Sequence, residues 1–281
     1  MWPLSRKKTG AIAPDASMLA ELRASWYEFD HLDEAQWQRL ADLAARFLAA
    51  KRIVGAAGFE VDETVRWTIG LLACLPVLEL GLRAYSDFVD VIVYPDRFLV
   101  DRSQTDEAGV VHESRDILSG EAMDLGPVVL AWSDILEDRE RPGACVIVHE
   151  FVHKLDMAGG SADGVPVGAE SRSPGWRRVL EASYEEFCGR LDAIEAAIPA
   201  HVDPESPAAD AWYGQLGLDP YAATDPVEFF AVAGEAFFSD PWQLHAGFPA
   251  LFEAMQRYFG QDPRQGTDGP AAPDRDQAPA A

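Results

Sequence analysis

Positive charge and cysteine are both scarce in this sequence of 281 residues. Only 23 Lys and Arg stand against 47 Asp and Glu, a net charge of −24. A surface of that sign repels phosphate backbones and anionic headgroups, so neither nucleic acid nor a membrane is expected as a direct partner. The three cysteines, Cys74, Cys145 and Cys188, are odd in number, far apart and nowhere spaced as CxxC. That excludes a disulfide framework and a cysteine metal cluster, and leaves each as a small buried hydrophobe. Long apolar runs are missing too. The most apolar stretch, Trp67 to Leu78, is broken by Pro76 and followed by Glu79 and Arg83, short of the roughly 20 residues that span a bilayer. The basic start, with Arg6, Lys7 and Lys8, runs into Gly10 and Pro14 instead of an apolar segment. No export signal is therefore expected, and the expected location is cytoplasmic.

What the chain does have is 48% hydrophobic residues, enough to bury a sizeable core. From Asp33 to Ala50, Trp37, Leu40, Leu43, Ala44, Phe47 and Leu48 recur at three- and four-residue steps, one face of a helix. A second helix is expected from Asp62, bent or ended by Pro76. The run Asp90 to Val100, with Pro95-Asp96 at its middle, reads as a β-hairpin, and Gly126 to Trp132 as a further strand. Polar residues 101–121 read as a loop. A helix of about 18 residues fits between Gly143 and the Gly159-Gly160 stop. Residues 160–174 read as a long loop, and further helices are expected over 176–198, 226–238 and 248–259. These patterns predict one mostly helical α+β domain over 17–262. Residues 1–16 form a loosely held arm, and 263–281 a disordered acidic Pro/Ala-rich tail.

One motif carries chemistry: Val146-Ile147-Val148-His149-Glu150-Phe151-Val152-His153. Histidines four apart on a helix project from one face, so two imidazoles can meet a single zinc at about 2.0–2.1 Å. Glu150, beside the first of them, can take a proton from zinc-bound water. A catalytic zinc needs a third protein ligand and an open position. Asp156 and Gly159 stand where one known extension of this motif would require Gly and His. The third ligand must therefore come from elsewhere, with His201, Glu205, Glu228, Glu235 and His245 as candidates. Glu228 has a competing reading: with Asp225 as N-cap and Pro226 at the first helical position, it falls where a capping box is completed. Asp156 and Glu235 are candidates to accept the other ring N–H of a ligating histidine. His31, His112, His201 and His245 lie in polar contexts that suggest surface positions, and the run Glu137-Asp138-Arg139-Glu140 reads as a solvated face.

The motif from His149 to Asp156, together with Asp219-Pro220-Tyr221-Ala222-Ala223-Thr224-Asp225-Pro226-Val227-Glu228-Phe229-Phe230-Ala231, closely resembles the Mlc titration factor A family of zinc peptidases. The likeness covers roughly residues 20–260. That family is related to the catalytic domain of anthrax lethal factor. The resemblance implies a zincin-like fold with a small β-sheet beside the active-site helix. It implies one zinc per chain, held by His149, His153 and Glu228, with Glu150 as general base and Tyr221, seven residues before Glu228, as oxyanion stabiliser. It also implies aminopeptidase activity on a peptide or aminoacyl substrate, and binding to a transcriptional repressor of the Mlc type. An extended substrate is expected to pair with a strand at the sheet edge, Val128 to Trp132 being the candidate. A non-catalytic titration protein with a zinc site is the alternative. A structural zinc site fits less well, since such sites are usually closed and cysteine-rich.

Overall fold

The computed structural model describes residues 15–105, 111–118, 120–122, 126–141, 143–160, 162–204 and 206–267. Residues 1–14 and 268–281, most of the expected arm and tail, lie outside them. The described chain begins with helix α1 (Ala16–Ala24), capped by Asp15, and runs on through Thr267, where Trp242 Nε1 donates to Thr267 Oγ1 at 3.1 Å. Helix α2 (Glu34–Ala50) starts at Asp33 with a full capping box to Gln36, and α3 (Glu63–Cys74) starts at Asp62, whose carboxylate accepts from Val65 N.

The sheet has four strands in the order β1 (Arg52–Gly55), β2 (Asp90–Tyr94), β6 (Val128–Ala131) and β5 (Gly120–Ala122). The first three are parallel, and β5 runs antiparallel along the edge of β6. The expected hairpin about Pro95 is therefore a misreading. Val91 and Val93 are fully buried with a strand on each side, so the chain after the turn has no free edge of β2 to pair with. It enters β3 (Phe98–Thr105), which pairs with β4 (Val111–Leu118) as a separate two-stranded ribbon across most of what reads as a polar loop.

Helices complete the domain: α4 (Trp132–Asp138), α5 (Val146–Met157), α6 (Ala169–Arg172), α7 (Trp176–Ala197), α8 (Asp210–Tyr213), α9 (Pro226–Ser239), α10 (Pro241–Gly247) and α11 (Pro249–Phe259). The fold is α+β and mostly helical. At 12 residues α5 is shorter than the 18 that fit the pattern. It runs through the interior, packed against α9, α3, β5 and β6. Phe151 anchors it with ring centroids 5.2 to 5.9 Å from Tyr85, Phe47 and Phe88. Its contact with α9 is close because Gly234 faces Val152, and a Cβ there would come within 2.8 Å of Val152 Cγ2. Lys154, fully buried on this helix, donates to Gly126 O at 3.1 Å and lies 3.6 Å from Asp87.

Cys74 and Cys145 are buried as expected, and Cys188 is half-buried. His31 is not on the surface: it is buried beside Phe238, and burial pulls its pKa down to about 4. Its neighbour Glu28 is also buried, which pushes that carboxyl from 4.5 up to about 8. The signs differ. Charging His31 costs the fold stability as pH falls from 6.5 toward 4. Ionising Glu28 costs stability as pH rises from 4.5 toward 8. Glu28→Gln removes the second slope. At about 1.4 kcal/mol per pKa unit the variant should gain several kcal/mol over the parent near pH 8 and nothing near pH 4. Urea unfolding at the two pH values measures this, and equal midpoints at pH 8 would show that Glu28 ionises freely in the fold.

Candidate metal centre

Two helices bring the motif residues together. His149 and His153 lie one turn apart on α5, with ring centroids 4.7 Å apart. Glu228 reaches them from the first turn of α9. Asp225 caps that helix alone, its Oδ1 accepting from Val227 N at 2.8 Å and Glu228 N at 2.9 Å. Glu228 is thus released from the capping box, and its carboxylate turns toward α5. Its Oε2 lies 3.3 Å from His149 Nε2 and 3.2 Å from His153 Nε2, and the two ring nitrogens are 3.1 Å apart.

This triangle fits a metal ion. Donors held about 2.1 Å from a tetrahedral ion stand about 3.4 Å apart, close to the three edges here. Among the described residues, these three form the one group of His, Cys, Asp and Glu whose donor atoms converge in this way. Their side chains are 9 to 19% exposed, so they are sheltered but reachable. Burial pulls the pKa of His149 down, but hydrogen bonds to Glu228 and Glu235 outweigh it and hold it well above its ordinary value. Burial likewise pushes Glu228 up, and the two imidazoles reverse that and hold its carboxyl well below the usual range.

Glu235, two turns along α9, lies with Oε2 3.3 Å from His149 Nδ1, while Oε1 accepts from Cys145 N. This leaves His149 Nε2 available to a metal ion. Asp156 does not do the same for His153. Its Oδ2 accepts from Gly164 N at 2.7 Å, and His153 Nδ1 meets no partner among the described residues. Asp156 instead pins the 160–174 loop, with Trp176 Nε1 donating to Gly164 O at 2.8 Å. Gly164 has φ +76°, and a side chain there would strike Leu180 and Pro226. The loop therefore braces the first turn of α9.

The donor triangle lies beside a cleft of about 360 Å³, lined among others by His149, Glu150, Tyr221 and Glu235. Glu150 is 4% exposed and abuts β5: a Cβ on Gly120 would lie 2.4 Å from Glu150 Oε1, so only glycine leaves room for the carboxylate. Tyr221 lies in a 3-10 turn, Pro220–Ala223, that Asp219 caps by accepting from Tyr221 N at 2.8 Å. It is half-exposed, with its ring 6.3 Å from that of His149. Of the other candidate ligands, His201 is exposed, His245 packs on Phe252, and Glu205 lies outside the described residues; the side chain of His112, expected at the surface, also lies outside them.

Two features escape the sequence. Asp138, within the run expected to be a solvated face, is half-buried and faces the cleft. Its one legible signal is its place just before the motif helix. The sheet edge at the site is β5, not Val128 to Ala131, which lies between β2 and β5.

Comparison with known proteins adds a family. The sequence model of the glucose-regulated metallo-peptidase M90 family matches residues 3–260. The chain is similar to Mlc titration factor A of Cronobacter sakazakii, 39% identical over 93% of this chain and 92% of the relative. It is 38% identical to the protein of that name from Enterobacter sp., over 97% of this chain and 98% of the relative. The Klebsiella pneumoniae protein of that name is 39% identical, over 84% and 83%.

Proposed function

The chain belongs to the glucose-regulated metallo-peptidase M90 family, and from that premise we propose that it is a zinc-dependent aminopeptidase acting on short peptides or aminoacyl derivatives. The observation that carries this reading is the triangle of His149, His153 and Glu228, whose His149 lines a cleft shared with Glu150. Two imidazoles and one carboxylate, with no thiolate, form a donor set suited to catalytic zinc, which keeps an open position. Zinc held by His149, His153 and Glu228 would supply a Lewis acid that makes water a competent nucleophile near neutral pH. Glu150 takes the proton of the attacking water and passes it to the leaving amine. Tyr221, on the open side of His149, donates its hydroxyl to the oxyanion as charge develops. The outer edge of β5, unpaired among the described residues, offers backbone groups with which an extended substrate can pair beside Glu150. Residues 17–262 make up the peptidase domain, and the cytoplasm is the compartment proposed.

The relatives' name favours a second role that can coexist with the first, binding of an Mlc-type repressor. Among the described residues no helix is long and apolar enough to cross a membrane. The test is metal removal. The purified chain, dialysed against a strong chelator, should lose both zinc and its hydrolysis of alanine p-nitroanilide, and regain both on adding one zinc per chain. Hydrolysis that persists in a zinc-free sample would sink the mechanism.

A further inference from the structure

The cleft beside the metal centre is walled by carboxylates, and apart from the proposed base Glu150 one of them is sheltered yet, among the described residues, has no guanidinium, ammonium or imidazole partner. Asp134 Oδ2 is buried without a hydrogen-bond partner, but its charge is met by Arg97, whose Nε donates to Oδ1 at 2.8 Å, and Glu137 lies 3.5 Å from the same guanidinium. Glu235 spans Cys145 N and His149 Nδ1, and Asp219, which caps Tyr221 N, is exposed to solvent. Asp138 is different. It ends α4, its Oδ2 accepts from Val146 N at 2.7 Å, and its Oδ1 meets no donor among the described residues. Val146 opens α5, and the next turn of that helix carries His149 and Glu150.

Negative charge at Asp138 is in surplus. Burial raises its carboxyl to about 7, and Glu235 and Asp134 push the same way, while the Val146 N–H and, to a smaller extent, Arg141 offset them only in part. A carboxylate with an uncommitted oxygen, half-buried among other carboxylates at the lip of a catalytic cleft, is matched by a small cation with several N–H donors. In a peptide the α-ammonium is such a cation, and a single Cα separates it from the first carbonyl carbon. An anchor for it must therefore lie close to the base.

We propose that Asp138 receives the substrate's α-ammonium through Oδ1 and thereby makes the site select a free N-terminus. This rests on the peptidase reading above and adds to it the residue that sets the specificity. Asp138→Asn keeps an acceptor for Val146 N and removes the charge.

The test is calorimetric binding of alanine hydroxamate and N-acetylalanine hydroxamate to the zinc-loaded chain, alongside hydrolysis of alanine p-nitroanilide and its N-acetyl form. The parent should favour the free amine in both assays. Asp138→Asn should lose that preference by about 10–100-fold, the scale of one sheltered charge-assisted hydrogen bond, mainly through KM and with the acetylated ligands unaffected. A parent without the preference, or a variant that retains it, overturns the proposal. If the parent binds with the preference, and Asp138→Asn abolishes it, but neither anilide is hydrolysed, the anchor stands and the peptidase reading alone falls. Should Asp138→Asn fail to hold one zinc per chain, Asp138→Ser removes the charge by another route, and a free-amine preference surviving there overturns the proposal equally.

Discussion

Glu150→Gln should lower kcat for peptide or anilide hydrolysis by about 10²–10⁴-fold, the range that one positioned acid–base group contributes. Zinc should remain at one per chain. The substitution is nearly isosteric, and Glu150 is not part of the donor triangle formed by His149, His153 and Glu228. Glutamine can still accept a hydrogen bond, but it cannot hold the proton that must travel from water to the leaving amine. The expectation is sharpened by β5, because the clearance at Gly120 holds the side chain at position 150 against the strand. KM should stay within a few-fold, since the variant changes a group used chiefly in the transition state. The proposed binding of an Mlc-type repressor should survive, which would separate that role from the catalytic one. Steady-state kinetics with elemental analysis of the same preparation decide the matter. Zinc lost together with activity would mean that Glu150 supports the metal, and full activity would place the base elsewhere.

Why the motif residues were legible and their surroundings were not follows from the range of the interactions involved. His149, Glu150 and His153 lie on one helix, so a period of 3.6 residues relates them. Glu228 had two readings because a sequence does not show which way a carboxylate turns; Asp225 takes both first-turn N–H groups and decides it. Glu235 and Asp156 looked alike as supports for histidines, yet the first faces α5 across a helix contact and the second is drawn off by Gly164. The sheet was misread because β2 finds its partners at residues 52–55 and 128–131, well outside any local window. A strand as short as Gly120–Ala122 carries no periodicity at all. His31 sits among acidic residues in the chain but is buried by Phe238, some two hundred residues away. Local rules located the motif, while burial and pairing between distant segments set its environment.

Removing the third donor should have the other large effect. After dialysis against a weak chelator, Glu228→Ala should hold far less than one zinc per chain where the parent holds one, because two imidazoles from adjacent turns remain and the carboxylate side of the triangle is gone. Glu235→Gln provides the scale. It loosens only the orientation of His149, and loss of such a supporting partner costs about 10–100-fold in metal affinity. Glu228→Ala should exceed that, and the order of the two variants is the test. If Glu235→Gln sheds zinc as completely as Glu228→Ala, then Glu235 is a ligand and not a support. The dependence on pH points the same way. In the metal-free chain, burial opposes charge on His149, but Glu228 and Glu235 hold its pKa well above the ordinary value. Zinc must then displace a proton, and its apparent affinity should fall as pH drops. Glu228→Ala removes one of the two carboxylates that favour the imidazolium. The variant's residual zinc binding should therefore be weaker throughout and less steep in pH, a combination that general unfolding of the site would not produce.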